Sequence, residues 1–160
     1  MKNTVKARPA AAALTLAVLV TLFGLFGCDN GTTPDPEPQN PAEYYVPFVT
    51  GYTVTIENPS RKMTPAHEQV FKDLFADMAG DANNASLIGE MKHRNTKIIV
   101  EDVAAYDTSN STVVNANCRI EGNNAVCIRA EFLQTPGLTF QQLGSPIVSG
   151  FMKLGSDTTF

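Results

Sequence analysis

The sequence predicts an α+β domain in which one amphipathic helix packs on an antiparallel sheet of about five or six strands. Three observations support this prediction. Apolar and polar residues alternate between positions 44 and 57, which is the period of a strand with one buried face. An apolar stripe at helical spacing follows between positions 64 and 80. Further β-prone segments occur between positions 97 and 132.

The first strand is predicted over residues 44–57. Pro47 and Gly51 indicate an edge position or a bend in its first half, because neither residue suits a central strand. Thr50 interrupts an otherwise apolar set of even positions, which are Tyr44, Val46, Phe48, Tyr52, Val54 and Ile56. We therefore expect this set to face the core.

The helix is predicted between Thr64 and Gly80. Thr64 is a good N-cap, Pro65 suits the first turn, and Gly80 can end the helix. His67 stands where a zinc-protease helix would begin, but the second His of that motif would be at position 71, which is Phe71. The motif is therefore excluded, and we expect His67 to be a solvated helix-end side chain. The apolar stripe consists of Val70, Phe71, Leu74, Phe75 and Met78.

Two strands are predicted next, over residues 87–91 and 97–106, around a turn at 92–95. Gly89 leaves a short helix as the competing interpretation of the first segment. The turn contains His93 and is basic, but turns collect polar residues in any case, so we expect it to be solvated.

The segment 113–132 is predicted to be a hairpin that turns at residues 122–124. A three-residue loop, with Asn124 left-handed, would pair Ile120 with Val126 and unite the apolar residues of both strands on one face. A two-residue loop shifts the pairing by one residue and divides the apolar residues between the faces.

The remaining segments, 138–143 and 147–154, are predicted to be strands separated by Gly144-Ser145-Pro146. The order of elements resembles that of cystatin-like and nuclear-transport-factor-like folds. The Gln-x-Val-x-Gly loop of inhibitory cystatins is absent from the sequence, which argues against protease inhibition. Fold alone does not assign a function.

The N-terminus has the organisation of an export signal. Its positively charged start is followed by an uncharged, mostly apolar run over residues 10–26 and then by Leu25-Phe26-Gly27-Cys28. A Leu at −3, a small residue at −1 and a Cys resemble the lipobox of bacterial lipoproteins; Phe26 is larger than the residue usual at −2. The basic residues are Lys2, Lys6 and Arg8.

The resemblance implies that residues 1–27 are removed as a signal peptide and that Cys28 carries diacylglycerol and a further acyl chain such as palmitate. Each buried methylene contributes about 0.8 kcal/mol, so two or three chains anchor a protein durably. Asp29 directly follows Cys28, and in one bacterial lineage an Asp at that position resembles a signal that retains lipoproteins in the inner membrane. Which membrane receives the chain stays open, with the outer membrane or the cell surface favoured.

Residues 28–42 are predicted to be the lipidated Cys and a tether rich in Pro and acidic residues, with reach of about 40 Å when extended. The single folded domain is predicted over residues 43–160. Without residues 1–27 the chain has nine basic and 16 acidic residues, a formal charge of −7. This charge argues against nucleic acid as a partner and against membrane binding by a basic patch.

Cys118 and Cys127 are an even pair in a chain that is expected to leave the cytoplasm, which predicts one disulfide. The two-residue hairpin register places them directly opposite each other, within reach of a bridge. We favour that register, with a bulge near residues 129–131. No metal site is predicted, because neither His67 nor His93 is near the cysteines in sequence.

The expected function is that of a non-enzymatic, lipid-anchored envelope protein that binds a protein or envelope component. The sequence contains no catalytic motif, and no cofactor is predicted. One alternative is an enzyme with a dispersed site that uses His67 or His93. The other is a structural subunit of an envelope complex, which would expose an apolar patch.

Overall fold

The computed structural model describes residues 40–156. Six strands form one sheet: β1 (Glu43–Val49), β2 (Tyr52–Glu57), β3 (Lys97–Glu101), β4 (Val113–Asn115), β5 (Cys118–Glu121) and β6 (Ala125–Arg129). Four α-helices accompany it: α1 (Pro65–Gly80), α2 (Ala85–Arg94), the four-residue α3 (Ala130–Leu133) and α4 (Phe140–Ser156). A 3₁₀ turn, Ala82–Asn84, precedes α2. The α+β class is confirmed, with several helices in place of the one predicted.

The sheet is mixed, whereas an antiparallel sheet was predicted. Its strand order is β1-β2-β3-β6-β5-β4. β3 is parallel to both of its neighbours, β2 and β6, and the other pairs are antiparallel. β2 and β3 are parallel because α1 and α2 return the chain to the end of the sheet at which β2 begins. β3 and β6 are parallel because β4 and β5 lie between them in the chain and return it to that same end.

The segment 44–57 is a hairpin and not one bent strand. The chain turns at residues 50 and 51, where Gly51 has a φ of +73° that few other residues adopt readily. Val46 pairs with Val54, so apolar residues of β1 and β2 meet on the same face. The predicted buried face is therefore correct although the chain reverses within it.

The predicted first helix is confirmed as α1. Thr64 is its N-cap, and four residues of the predicted stripe are buried: Phe71, Leu74, Phe75 and Met78. The ring of Phe75 stacks on that of Phe48 in β1, with 4.6 Å between centroids. This contact fixes α1 on the first hairpin.

The prediction of a strand at residues 87–91 is wrong, and the competing helix is present as α2. The helix ends at Asn95, which adopts a left-handed conformation with φ 50°. Lys92, His93 and Arg94 form its last turn, where the charges of Lys92 and Arg94 complement the helix dipole. The basic turn predicted here is thus a helix end.

The favoured register of the second hairpin is also wrong. Ile120 pairs with Val126, which is the register of a three-residue loop, and Gly122 supplies the left-handed residue with φ 59°. Cys118 pairs with Ile128, so the two cysteines project to opposite faces of the sheet. Both thiols are free in the structure, and the predicted disulfide would require the other register.

The two strands predicted over residues 138–154 are replaced by the single helix α4, which contains Pro146. Two long helices pack on one face of the sheet, α1 against β1 and α4 against β4, β5 and β6, and α2 packs against α4. The core lies between these two layers. The opposite face of the sheet carries the polar residues of the central strands.

Candidate functional site

A compact polar cluster lies on the sheet face opposite the helices. Arg119 of β5 donates two hydrogen bonds to the Glu101 carboxylate of β3, with Nη2–Oε1 2.6 Å and Nε–Oε2 3.0 Å. Nη2 also pairs with Glu121. The Tyr106 hydroxyl donates to Glu101 Oε2 at 2.5 Å, and the guanidinium lies 5.7 Å from the centre of the Tyr106 ring.

The mixed sheet assembles this cluster from distant parts of the chain. Cys127 of β6 pairs with Ile99 of β3 on one side and with Arg119 of β5 on the other. Glu101 lies two residues beyond Ile99 and therefore shares its face. The loop between β3 and β4 crosses this face and brings Tyr106, whose N–H donates to the Ala116 carbonyl at 3.1 Å.

The guanidinium of Arg119 and the carboxylates of Glu101 and Glu121 stabilise one another in their charged forms. Burial raises the pKa of Glu101, but hydrogen bonds from Arg119 and Tyr106 outweigh burial and hold that pKa below its ordinary value. The hydrogen bonds to Glu101 and Glu121 raise the pKa of Arg119. Burial, followed by the Glu101 charge, raises the pKa of the Cys127 thiol to about 12. At neutral pH Cys127 is therefore a thiol and not a nucleophilic thiolate.

Three possible metal ligands also meet here. Glu101, Glu121 and Cys127 offer ligand atoms within 4.8 Å of one another. However, Arg119 donates to both carboxylates, so its guanidinium competes with any cation for their oxygens. The guanidinium thus occupies the position in which a cation would have to bind. The geometry fits a structural ion-pair network better than a metal centre.

We expect both thiols to be unreactive in the folded protein. Cys118 and Cys127 are fully buried, and burial raises the pKa of each to about 12 from an ordinary 9. At pH 8 the thiolate fraction is then roughly a thousandfold lower than that of an ordinary thiol. Alkylation followed by mass spectrometry should add nothing to either residue until denaturant is present, and both should then react without a reductant.

Reaction of either cysteine in the folded state would contradict the burial seen here. If the unfolded protein reacted only after a reductant was added, the predicted disulfide between Cys118 and Cys127 would be present.

The two histidines have separate roles. His67 Nδ1 accepts a hydrogen bond from the Thr64 N–H at 3.1 Å, and the His67 N–H donates to Thr64 Oγ1 at 3.4 Å. His67 therefore completes the capping box of α1 and is not merely solvated. Burial lowers its pKa, which favours the neutral form that this contact needs. His93 lies in the last turn of α2.

A groove of about 430 Å³ runs between α1 and α4 on the helical side of the domain. Its lining includes Leu74, Asp77 and Met78 from α1 and Phe140, Gly144 and Val148 from α4. The remaining α4 positions that line it are uncharged. A volume of this size can hold a small ligand or a few side chains of a partner.

Sequence reasoning missed this groove because it divided α4 into two strands. The signal that would have revealed α4 is the spacing of Leu143, Ile147, Phe151 and Leu154, at intervals of four, four and three residues. All four side chains are buried. The predicted lipidation residue, Cys28, and the tether up to residue 39 lie outside the described residues.

Within residues 40–156, no helix combines the length and the apolar composition that crossing a bilayer requires. No model of a known protein family matches the chain, and no curated protein or solved structure matches it either.

Proposed function

We propose that the protein is a lipid-anchored lipoprotein of the bacterial envelope whose folded domain binds a protein or envelope component. The observation that carries this proposal is the sequence Leu25-Phe26-Gly27-Cys28 at the end of the apolar run. On this proposal residues 1–27 are removed and Cys28 bears two or three acyl chains, which hold the protein on the membrane.

The beginning of the folded domain supports a tethered arrangement. Asn40 Nδ2 donates to the Arg61 carbonyl at 2.9 Å, and Arg61 Nη1 donates to the Asn40 carbonyl at 2.9 Å. The Asn58 side chain holds the Pro41 carbonyl at 2.8 Å. These contacts join the chain to the domain from residue 40 onwards, so the proposed tether extends no further than residues 29–39.

The protonation and the hydrogen bonds of Cys127, Arg119 and His67 support a binding function over a catalytic one. Cys127 is a buried, protonated thiol, and Arg119 is fully engaged by carboxylates. His67 accepts a hydrogen bond from the backbone of its own helix start. An enzyme that used His67 as a base would have to release this cap first, which disfavours the catalytic alternative.

The alternative of a structural subunit requires an exposed apolar patch. The large apolar side chains most exposed within residues 40–156 are Tyr45, Val103 and Met152. Tyr45 belongs to β1, Val103 to the loop after β3 and Met152 to α4, so each is a single exposed apolar side chain on its element. A binding role at a more restricted surface is therefore favoured.

The mass of the intact protein, purified from its native membrane with detergent, tests the anchor. We expect the mass of residues 28–160 plus two or three acyl chains. Cys28→Ser should abolish acylation and move the protein from the detergent phase to the aqueous phase or leave it as an unprocessed precursor. Cys118→Ala is the matched control, because it also removes a cysteine but should leave the mass added by acylation unchanged.

An unacylated native protein, or a Cys28→Ser variant that keeps the added mass, would overturn the anchor. Turnover of an envelope substrate by the purified protein would overturn the non-enzymatic part of the proposal.

A further inference from the structure

The groove between α1 and α4 has an apolar floor. Leu74 and Met78 of α1 form one side, and Phe140 and Val148 of α4 form the other. A Cβ atom added to Gly144 would lie 3.0 Å from Leu74 Cδ1, so the two helices are in close contact at this point. Beside this contact Phe140 and Val148 are partly buried, and they lie next to Leu74 and Met78, which are buried.

One acidic residue of α1 lines the groove: Asp77, whose side chain is exposed. The last turn contains no basic residue, so Asp77 lies unneutralised near the negative end of the helix dipole. Asp77 also makes no ion pair with any residue between 40 and 156. An acidic group placed there is electrostatically unfavourable unless a cation approaches it.

The α4 wall differs from the rest of the domain surface. Most basic residues between 40 and 156 pair with a carboxylate, as Lys62 does with Asp102 and Lys97 with Glu57. Along its 17 residues α4 has a single charged side chain, Lys153, and the groove is lined on this side by Gln141, Ser145 and Ser149. The groove therefore combines an apolar floor, one neutral wall and one wall with unpaired negative charge.

We propose that this groove docks a basic amphipathic helix of a partner protein. The apolar face of such a helix would cover Phe140 and Val148 next to the buried Leu74 and Met78, and a Lys or Arg would pair with Asp77. A groove between two helices accepts a third helix by the packing of side-chain ridges into grooves. This inference rests on the proposed binding function and names the chemistry of the partner.

The test uses the purified, membrane-derived protein in phosphatidylcholine nanodiscs, with empty discs as the baseline. The probe is a labelled synthetic helix of about 18 Leu and Lys residues with one apolar face. We expect saturable binding of this probe. We expect none for the same peptide with Glu in place of Lys, nor for a Lys and Ser peptide that lacks the apolar face.

Variants locate the binding site. Asp77→Lys should weaken binding by about tenfold or more, because it removes one charge pair and adds a repulsion. Ser145→Trp should do the same by filling the groove from an exposed position. Asp107→Lys makes the same change of net charge in the loop on the opposite face of the sheet and should alter affinity by no more than about twofold.

Equal weakening by Asp77→Lys and Asp107→Lys would show non-specific attraction to an acidic protein and would overturn the proposal. So would an unchanged affinity in the Ser145→Trp variant, or equal binding of the Lys and Ser peptide. The outcome is separable from that of the anchor test: an acylated protein that fails to bind the helix removes this inference and leaves the anchor intact.

Discussion

Replacing Asn58 by Ala should lower the free energy of unfolding by about 3 kcal/mol, with little change in secondary structure where the protein still folds. Asn58 is fully buried, and its side chain forms hydrogen bonds with the backbone of two other segments, at Pro41 and at Met63. Nδ2 donates to the carbonyls of Pro41 (2.8 Å) and Met63 (3.2 Å), and Oδ1 accepts from the Met63 N–H at 3.0 Å. Alanine leaves a buried N–H without a partner, and such a group costs about 1–3 kcal/mol by itself.

The measurement is urea denaturation followed by far-ultraviolet circular dichroism, since the sequence contains no Trp. Asn40→Ala is the matched control: Asn40 donates one hydrogen bond to Arg61 in an exposed position, and its loss should cost less than about 1 kcal/mol. Equal costs for the two variants would mean that the Asn58 contacts do not hold the start of the domain to the start of α1.

Asn58→Asp sharpens this test. The carboxylate keeps an acceptor for the Met63 N–H but cannot donate to the carbonyls of Pro41 and Met63, and it places a buried charge beside them. We expect its cost at pH 7 to equal or exceed that of Ala. The cost should decrease in acid, where a protonated carboxyl can donate one hydrogen bond.

Local signals were sufficient to predict α1 from the sequence. Its N-cap, the Pro in its first turn and its apolar stripe all lie within 16 residues and agree with each other. The buried face of the first hairpin was predictable for the same reason, although its reversal at Thr50 and Gly51 was not. Alternation with period two continued through the turn, so periodicity alone could not show that the chain changed direction.

The parallel pairs and the polar cluster could not be predicted in this way. Glu101, Arg119 and Tyr106 come together only because β3 lies beside β6, and no local signal encodes that pairing. The cysteines misled the prediction of the hairpin register, since an expected disulfide was weighed above the apolar pairing of Ile120 with Val126. Hydrophobic pairing determines the register here, because it buries both strands against the helices.

The error at α4 has a specific physical origin. The sequence Gly144-Ser145-Pro146 is typical of a turn, yet Pro146 removes only one backbone hydrogen bond of the helix, that to the carbonyl of Gln142. The helix is retained because its apolar face is buried against the sheet, and burial of several large side chains exceeds the cost of one proline. Since the α1–α4 groove depends on this helix, the candidate docking site was hidden with it.

The glycines of α4 have a packing role that predicts the second large effect: Gly150→Ala should destabilise the protein by about 1–3 kcal/mol. An added Cβ would lie 2.8 Å from Val126 Cγ1 and 3.3 Å from Cys118 Sγ, both in the sheet beneath α4. Val126 is β-branched and buried in the central strand β6, so it cannot rotate away at small cost. The helix would have to move off the sheet.

Gly89→Ala is the matched control for this effect. Gly89 also lies within a helix, α2, but nothing lies within 4 Å of its added Cβ. This substitution should therefore raise stability by about 0.5–1 kcal/mol through helix propensity alone. The same change of residue type in two helices of one domain is thus expected to have opposite signs in thermal or urea denaturation.

The double variant Gly150→Ala with Val126→Ala identifies the contact responsible. Val126→Ala alone removes buried methyl groups and should be destabilising. In the double variant the new methyl group of residue 150 occupies part of the vacated space, so the combined cost should be smaller than the sum of the single costs. Strict additivity, or stabilisation by Gly150→Ala alone, would mean that α4 does not approach β6 as closely as the distance of 2.8 Å implies.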